Sequence, residues 1–264
     1  PWLDSAMIVR DEGDSFLLIT QPDHARLAER IGAAMRSEPA LDTADRDAVL
    51  LGIREHDNGW AEVDAEPEVE PATGRPRDFM SGSPRVKYDL WVRGIKRAAH
   101  MDPHAGGLVA DHALTVYAYR RGEAEWQTFF GSVTPMRDDL LKQIGMLTGE
   151  AREVFQRQYR CVQLADAFSL QFCGGWSDIS SLEYQAIMRG NELLISPDPF
   201  DGAAIPLQVL GRRIAARRYH DDGELRHTIA AATPEVIIGS ARGVRDTTTD
   251  LLGSTGLPED KWPD

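Results

Sequence analysis

Apolar residues alternate at the start of the chain, recur every three or four positions through its middle, and alternate again near its end. Met7-Ile8-Val9-Arg10 and Phe16-Leu17-Leu18-Ile19 flank the turn-forming run Asp11-Glu12-Gly13-Asp14, so residues 7–20 predict a β-hairpin. Thr20 then fits a helix N-cap, with Pro22 in the first turn and Asp23 three residues on, and a helix is predicted from about 22 to 36. A second helix, at about 43–57, is closed by Asn58-Gly59-Trp60, where Gly59 can take the left-handed cap conformation. Residues 61–85 are rich in Pro, Glu and Gly and predict a long loop, with Asp64, Glu66, Glu68 and Glu70 read as solvated. Helical spacing resumes at about 86–101, 105–121, 136–148 and 150–173, the last ending at Gly174-Gly175. From about 190 the spacing is that of strands, at 192–195, 207–210, 213–219 and 235–238, interrupted by a short helix at about 222–231.

An isolated hairpin is marginal in water, so both chain ends are expected to share one sheet. The expectation is a mainly α protein with a small β-sheet, of α+β class. Its helical core would span about 21–190, with a β annex of about 7–20 plus 191–240. Residues 7–240 would form a single domain, and the polar, turn-rich 241–264 a C-terminal tail. Met7 reads as a natural start, with Pro1–Ala6 before it either a remnant or the product of an upstream start.

Four predicted helices carry a metal-type ligand on the stripe that should face the core. Val49, Ile53 and His56-Asp57 are spaced i, i+4 and i+7/8. His24 precedes Leu27, Ala28 and Ile31 in the first helix. His112 shares a face with Leu108, Val109 and Val116. Asp166 belongs to the stripe Phe155, Tyr159, Val162, Asp166, Ser169 and Cys173. Buried polar groups must be paired or must bind something. One such residue is ordinary; several on different helices point to a shared cation or to a buried hydrogen-bond network.

The order His24 … His56-Asp57 … Asp166 resembles the H…HD…D pattern of the HD-domain superfamily of metal-dependent phosphohydrolases. That resemblance implies an all-helical, HD-domain-like core. It also implies one or two divalent transition metals (Mn, Fe, Co, Ni or Zn) held by His24, His56, Asp57 and Asp166, with His112 as the extra histidine of two-metal branches. A broader likeness runs over roughly 7–240. Leu17-Leu18-Ile19-Thr20-Gln21, Glu55-His56-Asp57-Asn58-Gly59-Trp60, Asp102-Pro103, Ala105-Gly106 and Leu164-Ala165-Asp166 resemble the DUF3891 family, which has no established activity. Where that family more often has Tyr in its Asp-Pro-Tyr-Ala-Gly segment, this chain has His104.

The remaining histidines weigh less. Pro103 breaks the helix between His100 and His104, which removes i, i+4 ligand geometry, and His220 and His227 read as surface residues of the β annex. Asn58 and Trp60 follow the pair closely enough to orient a ligand or wall a cavity, and Glu55 could accept an imidazole N–H.

A net charge of -13 argues against a nucleic-acid surface or an anionic-membrane partner, yet it leaves room for a small anionic substrate beside a metal. Cys161 and Cys173 lie too far apart on one predicted helix to bridge, which fits a reducing cytoplasm, and no apolar run approaches transmembrane length. No P-loop, nucleophile elbow, paired CxxC or dinucleotide fingerprint is present. The expected function is metal-dependent hydrolysis of a small phosphoester, with Asp57 and His112 as catalytic residues. The alternatives are an HD-like di-iron oxygenase and a non-catalytic small-molecule-binding domain with a structural His/Asp cluster. A homodimer is the assembly kept open.

Overall fold

The computed structural model describes residues 7–80 and 84–244. Pro1–Ala6 and residues 245–264 of the expected tail lie outside them. The chain opens with a hairpin of β1 (Ile8–Asp11) and β2 (Ser15–Ile19), followed by helices α1 (Gln21–Ala34) and α2 (Arg46–Glu55). A 3-10 turn, Asn58–Trp60, leads into a single-turn helix, α3 (Ala61–Asp64). Then come α4 (Pro84–Met101), α5 (Pro103–Val116), α6 (Gln127–Gln143) and α7 (Gly149–Gly174). Strands β3 (Asp178–Ser181), β4 (Tyr184–Arg189), β5 (Glu192–Ser196) and β6 (Ala204–Ala215) precede α8 (Asp222–Ala231) and β7 (Pro234–Gly243).

Local chemistry accounts for the helix ends that matter to the site. The Thr20 side chain accepts the Asp23 N–H, and its own hydroxyl donates to the Asp23 carboxylate at 2.7 Å, which fixes the first turn of α1. Asp102 caps α5 in the same way through the N–H groups of His104 and Ala105. At the other end of the helical segment, Gly175 stops α7 with φ of 66°, a conformation a side chain would oppose.

The β-structure is no small annex. Helix makes up 53% of the described residues, and the strands form one curled, half-barrel-like sheet. Among the described residues that sheet has seven strands, in the order β1-β2-β6-β7-β5-β4-β3. All neighbours are antiparallel except β5 and β7. The expected HD-like, all-helical core is therefore corrected. The principal apolar cluster joins Leu27 and Ile31 of α1, Ile53 of α2, and Phe155, Phe168 and Phe172 of α7. To these it adds Leu17 of β2, Leu193 and Ile195 of β5, and Leu207 and Val209 of β6. Helices α1 and α7 thus share their core with the sheet rather than with other helices alone. A second cluster, with Trp60, Trp91, Trp126 and Phe129, fills the space among α4, α5 and α6.

The miscount has identifiable causes. β3 and β4 fall within the expected helical core of 21–190, in a stretch the sequence reading gives no element, because their alternation is brief: Tyr184 and Ala186 are buried while Gln185 between them is exposed. β6 runs unbroken through Gly211-Arg212, where the sequence suggests two strands. α6 begins at Gln127 and carries Pro135 within it, because Phe129, Phe130 and Val133 must reach the second cluster. The acidic loop is also corrected: Asp64 and Glu68 are buried.

Candidate metal centre

Four side chains from three segments converge. α1 delivers His24, the C-terminal end of α2 delivers His56 and Asp57, and the middle of α7 delivers Asp166. Each offers one ligand-type atom, and these atoms all lie within 4.8 Å of one another. His24 Nε2 is 3.0 Å from Asp57 Oδ2 and 3.6 Å from Asp166 Oδ1. His56 Nε2 is 3.4 Å from Asp57 Oδ2 and 3.2 Å from Asp166 Oδ1. Both imidazoles are fully buried, and the two carboxylates are the more open members.

The outer nitrogens decide what the inner ones can do. His56 Nδ1 lies 2.6 Å from the Ile53 carbonyl oxygen, which can only accept, so Nδ1 carries a proton. The Ser169 hydroxyl donates to the Asp166 carbonyl at 2.9 Å, which leaves its oxygen to accept from His24 Nδ1 at 2.9 Å. In their neutral forms, both rings therefore turn an Nε2 lone pair toward carboxylate oxygens. Acceptor facing acceptor is repulsive unless a proton or a metal cation lies between them. Without a metal the proton must serve. Burial alone would push His56 down, but the charges of Asp57 and Asp166 prevail and raise it to about 9. Asp57, although buried, is held far below the usual carboxylate range by His56 and His24.

His112 stands beside the four. Its Nε2 is 3.7 Å from Asp166 Oδ2, its ring meets that of His56 edge-on at 5.0 Å, and its Nδ1 is 3.4 Å from the Tyr159 hydroxyl. Burial drives its pKa down to about 4, so its imidazole is neutral at physiological pH.

The other sequence candidates are dispersed. His104 is buried away from the cluster, stacked on Phe155 and bonded through Nε2 to Gln158 at 2.8 Å. His100, His220 and His227 are exposed. Glu55 takes N–H groups from Arg54 and Asn58 rather than from an imidazole. Trp60 lies under the buried ammonium of Lys87 at 4.6 Å.

Sequence reasoning missed the groups that orient the rings. Ser169 and Tyr159 lie on the Asp166 stripe, three and seven residues away, but periodicity marks them only as inward-facing. Asp64 gave no signal. Its Oδ2 accepts the Gln21 N–H at 2.7 Å, which ties α3 to the start of the helix carrying His24. Burial, with the nearby charges of Asp57 and Asp23, raises the Asp64 pKa to about 8.

Residues 7–216, which include the whole cluster, match the model of a family described as a protein of unknown function, DUF3891. The chain belongs to the DUF3891 family. No curated protein and no solved structure matches it. The finding supports DUF3891 membership and not the HD-superfamily resemblance, whose helical core this fold lacks. The DUF3891 match ends before α8 and β7, although β7 sits in the middle of the sheet between β6 and β5. No helix among the described residues is long and apolar enough to cross a membrane.

Proposed function

We propose that this DUF3891 chain is a metal-dependent hydrolase acting on a small phosphoester. The observation that carries the reading is the pair of imidazoles, His24 and His56, whose protonated Nδ1 atoms are bound outward and whose Nε2 atoms face Asp57 and Asp166. Mixed imidazole and carboxylate donors suit Mn, Fe, Co, Ni or Zn. His24, His56, Asp57 and Asp166 would hold the ion, and Asp57, facing both imidazoles, is the natural bridge if there are two. Bound there, a divalent cation would acidify a water and offset charge developing on phosphoryl oxygen. His112, neutral at pH 7, sits with Nε2 beside Asp166, where it would serve a second ion or hydrogen-bond the water that the metal acidifies. Tyr159 keeps that ring in place from its far side.

The test is metal analysis of protein purified anaerobically, with hydrolysis of p-nitrophenyl phosphate and bis-p-nitrophenyl phosphate by parent and Asp57→Ala. The expected result is at least one transition metal per parent chain, with metal and hydrolysis both lost in a variant that still folds. Unchanged metal content in Asp57→Ala would place the cation elsewhere. A parent without metal, paired with a variant that unfolds, would leave the cluster a structural network. Two irons without hydrolysis would favour oxygen chemistry instead.

A further inference from the structure

A cleft of about 550 Å³ lies on the outer side of the helices that carry the cluster. Its walls are the α1 stripe Pro22, Arg26, Glu29 and Arg30, the end of α2 with Arg54 and Glu55, Asn58 and Ala61 after it, and Arg97 of α4. On α1 this stripe is opposite the buried one of His24, Leu27, Ala28 and Ile31, so the cleft is separated from the cluster by the helix itself.

The side chains of four arginines line this cleft beside two carboxylates, Glu29 and Glu55, in a chain of net charge -13. Arg26 and Arg30 are four residues apart on α1, a like-charge spacing that weakens a helix. Three of the four have acidic neighbours: Arg26 with Asp23 at 2.7 Å, Arg54 with Glu55 at 3.0 Å and Glu29 at 4.0 Å, and Arg97 with Glu62. Partly exposed pairs of this kind are weak and exchangeable. Arg30 has no ion pair among the described residues and reaches only the Gln208 carbonyl, at 3.3 Å. Guanidinium forks bind phosphate oxygens in pairs, which ammonium groups cannot do.

We infer that this cleft is an anion-binding site, separate from the metal centre, for a small ligand with a diphosphate-like pair of anionic groups. It does not depend on the hydrolase reading. Its position gives it a line to the cluster: Arg97 donates to the Asn58 carbonyl at 2.7 Å and Arg93 to that of Gly59 at 3.0 Å, so α4 grips the turn that directly follows His56-Asp57. A ligand that draws Arg97 into the cleft therefore pulls on the segment that places two of the four cluster residues.

The probe is inorganic pyrophosphate, titrated calorimetrically at low ionic strength into the full chain after EDTA treatment. The expected result is saturable binding of one pyrophosphate per chain that weakens as salt is added. Arg30→Ala and Arg54→Ala should each weaken it roughly tenfold, with the circular dichroism spectrum unchanged, because both side chains lie at the surface. Asp166→Asn, on α7 and away from the cleft, should leave it intact. Absence of heat up to millimolar pyrophosphate would overturn the site. So would binding indifferent to both arginine variants, or binding lost in Asp166→Asn, which would put the anion at the cluster.

Discussion

At the scale of single residues, the chemistry turns on which atom of each imidazole is free. The Ile53 carbonyl and the Ser169 hydroxyl take the outer protons of His56 and His24, and the inner nitrogens are left to a cation. This has a consequence for pH. The His56 pKa is raised to about 9, so its contribution to stability is fully present below about 6.5, its unfolded value, and is lost as pH rises through about 9. Asp64, raised to about 8, acts in the same direction, since an acid kept protonated by the fold is increasingly disfavoured as pH climbs. Protein stripped of metal should therefore show a falling melting temperature between about pH 6.5 and 9. Metal-loaded protein should fall less, because the cation replaces the proton on His56 Nε2. Melting curves across this range, with EDTA and with added Mn or Zn, make the comparison, and identical slopes would speak against a cation at the cluster.

At the scale of elements, the critical joint is between α4 and the turn Asn58–Trp60. Backbone meets backbone there, and glycine is the residue that permits it. A Cβ on Gly94 would lie 2.7 Å from Asn58 Oδ1 and 3.1 Å from the Gly59 nitrogen, and one on Gly59 would collide with the Leu90 carbonyl. Gly94→Ala should push the turn away from α4 and cost about 1–3 kcal/mol, as overpacked sites do. The displaced turn follows Asp57 directly, so metal retention should fall along with stability. Urea unfolding and metal content of the variant measure the two effects; a loss of stability with metal content intact would show that the turn moves independently of the cluster.

At the scale of the molecule, the question is whether sheet and helices unfold together. The main cluster crosses from α1, α2 and α7 into the sheet, whereas Trp60, Trp91 and Trp126 belong to the second cluster among the later helices. We propose that residues 7–240 behave as one cooperative domain. Phe172, fully buried on α7 against the sheet, is the place to test it. Phe172→Ala should cost about 3–5 kcal/mol. The shift should be equal whether unfolding is followed by far-ultraviolet circular dichroism or by tryptophan fluorescence. Separate transitions would divide the molecule into two units.

The sequence by itself determined the local geometry of the site. Thr20, Pro22 and Asp23 set the start of α1, Gly174-Gly175 the end of α7, and periodicity put His24, His56 and Asp166 on inward stripes. These signals are legible because they act over one or two helical turns. The tertiary structure alone decided that His24, His56, Asp57 and Asp166 meet, while His104, on an equally buried stripe, bonds to Gln158 instead. It also decided that Ser169 rather than Glu55 orients an imidazole, that Asp64 is buried, and that seven strands curl into the partner surface for α1 and α7. Periodicity tells which face of an element is inward. Which other face it meets depends on pairings between residues such as Leu17 and Arg213, or Leu193 and Ala241, far apart along the chain. Hydrophobic spacing carries no record of those pairings, because every apolar stripe is an acceptable partner until the chain is closed around it.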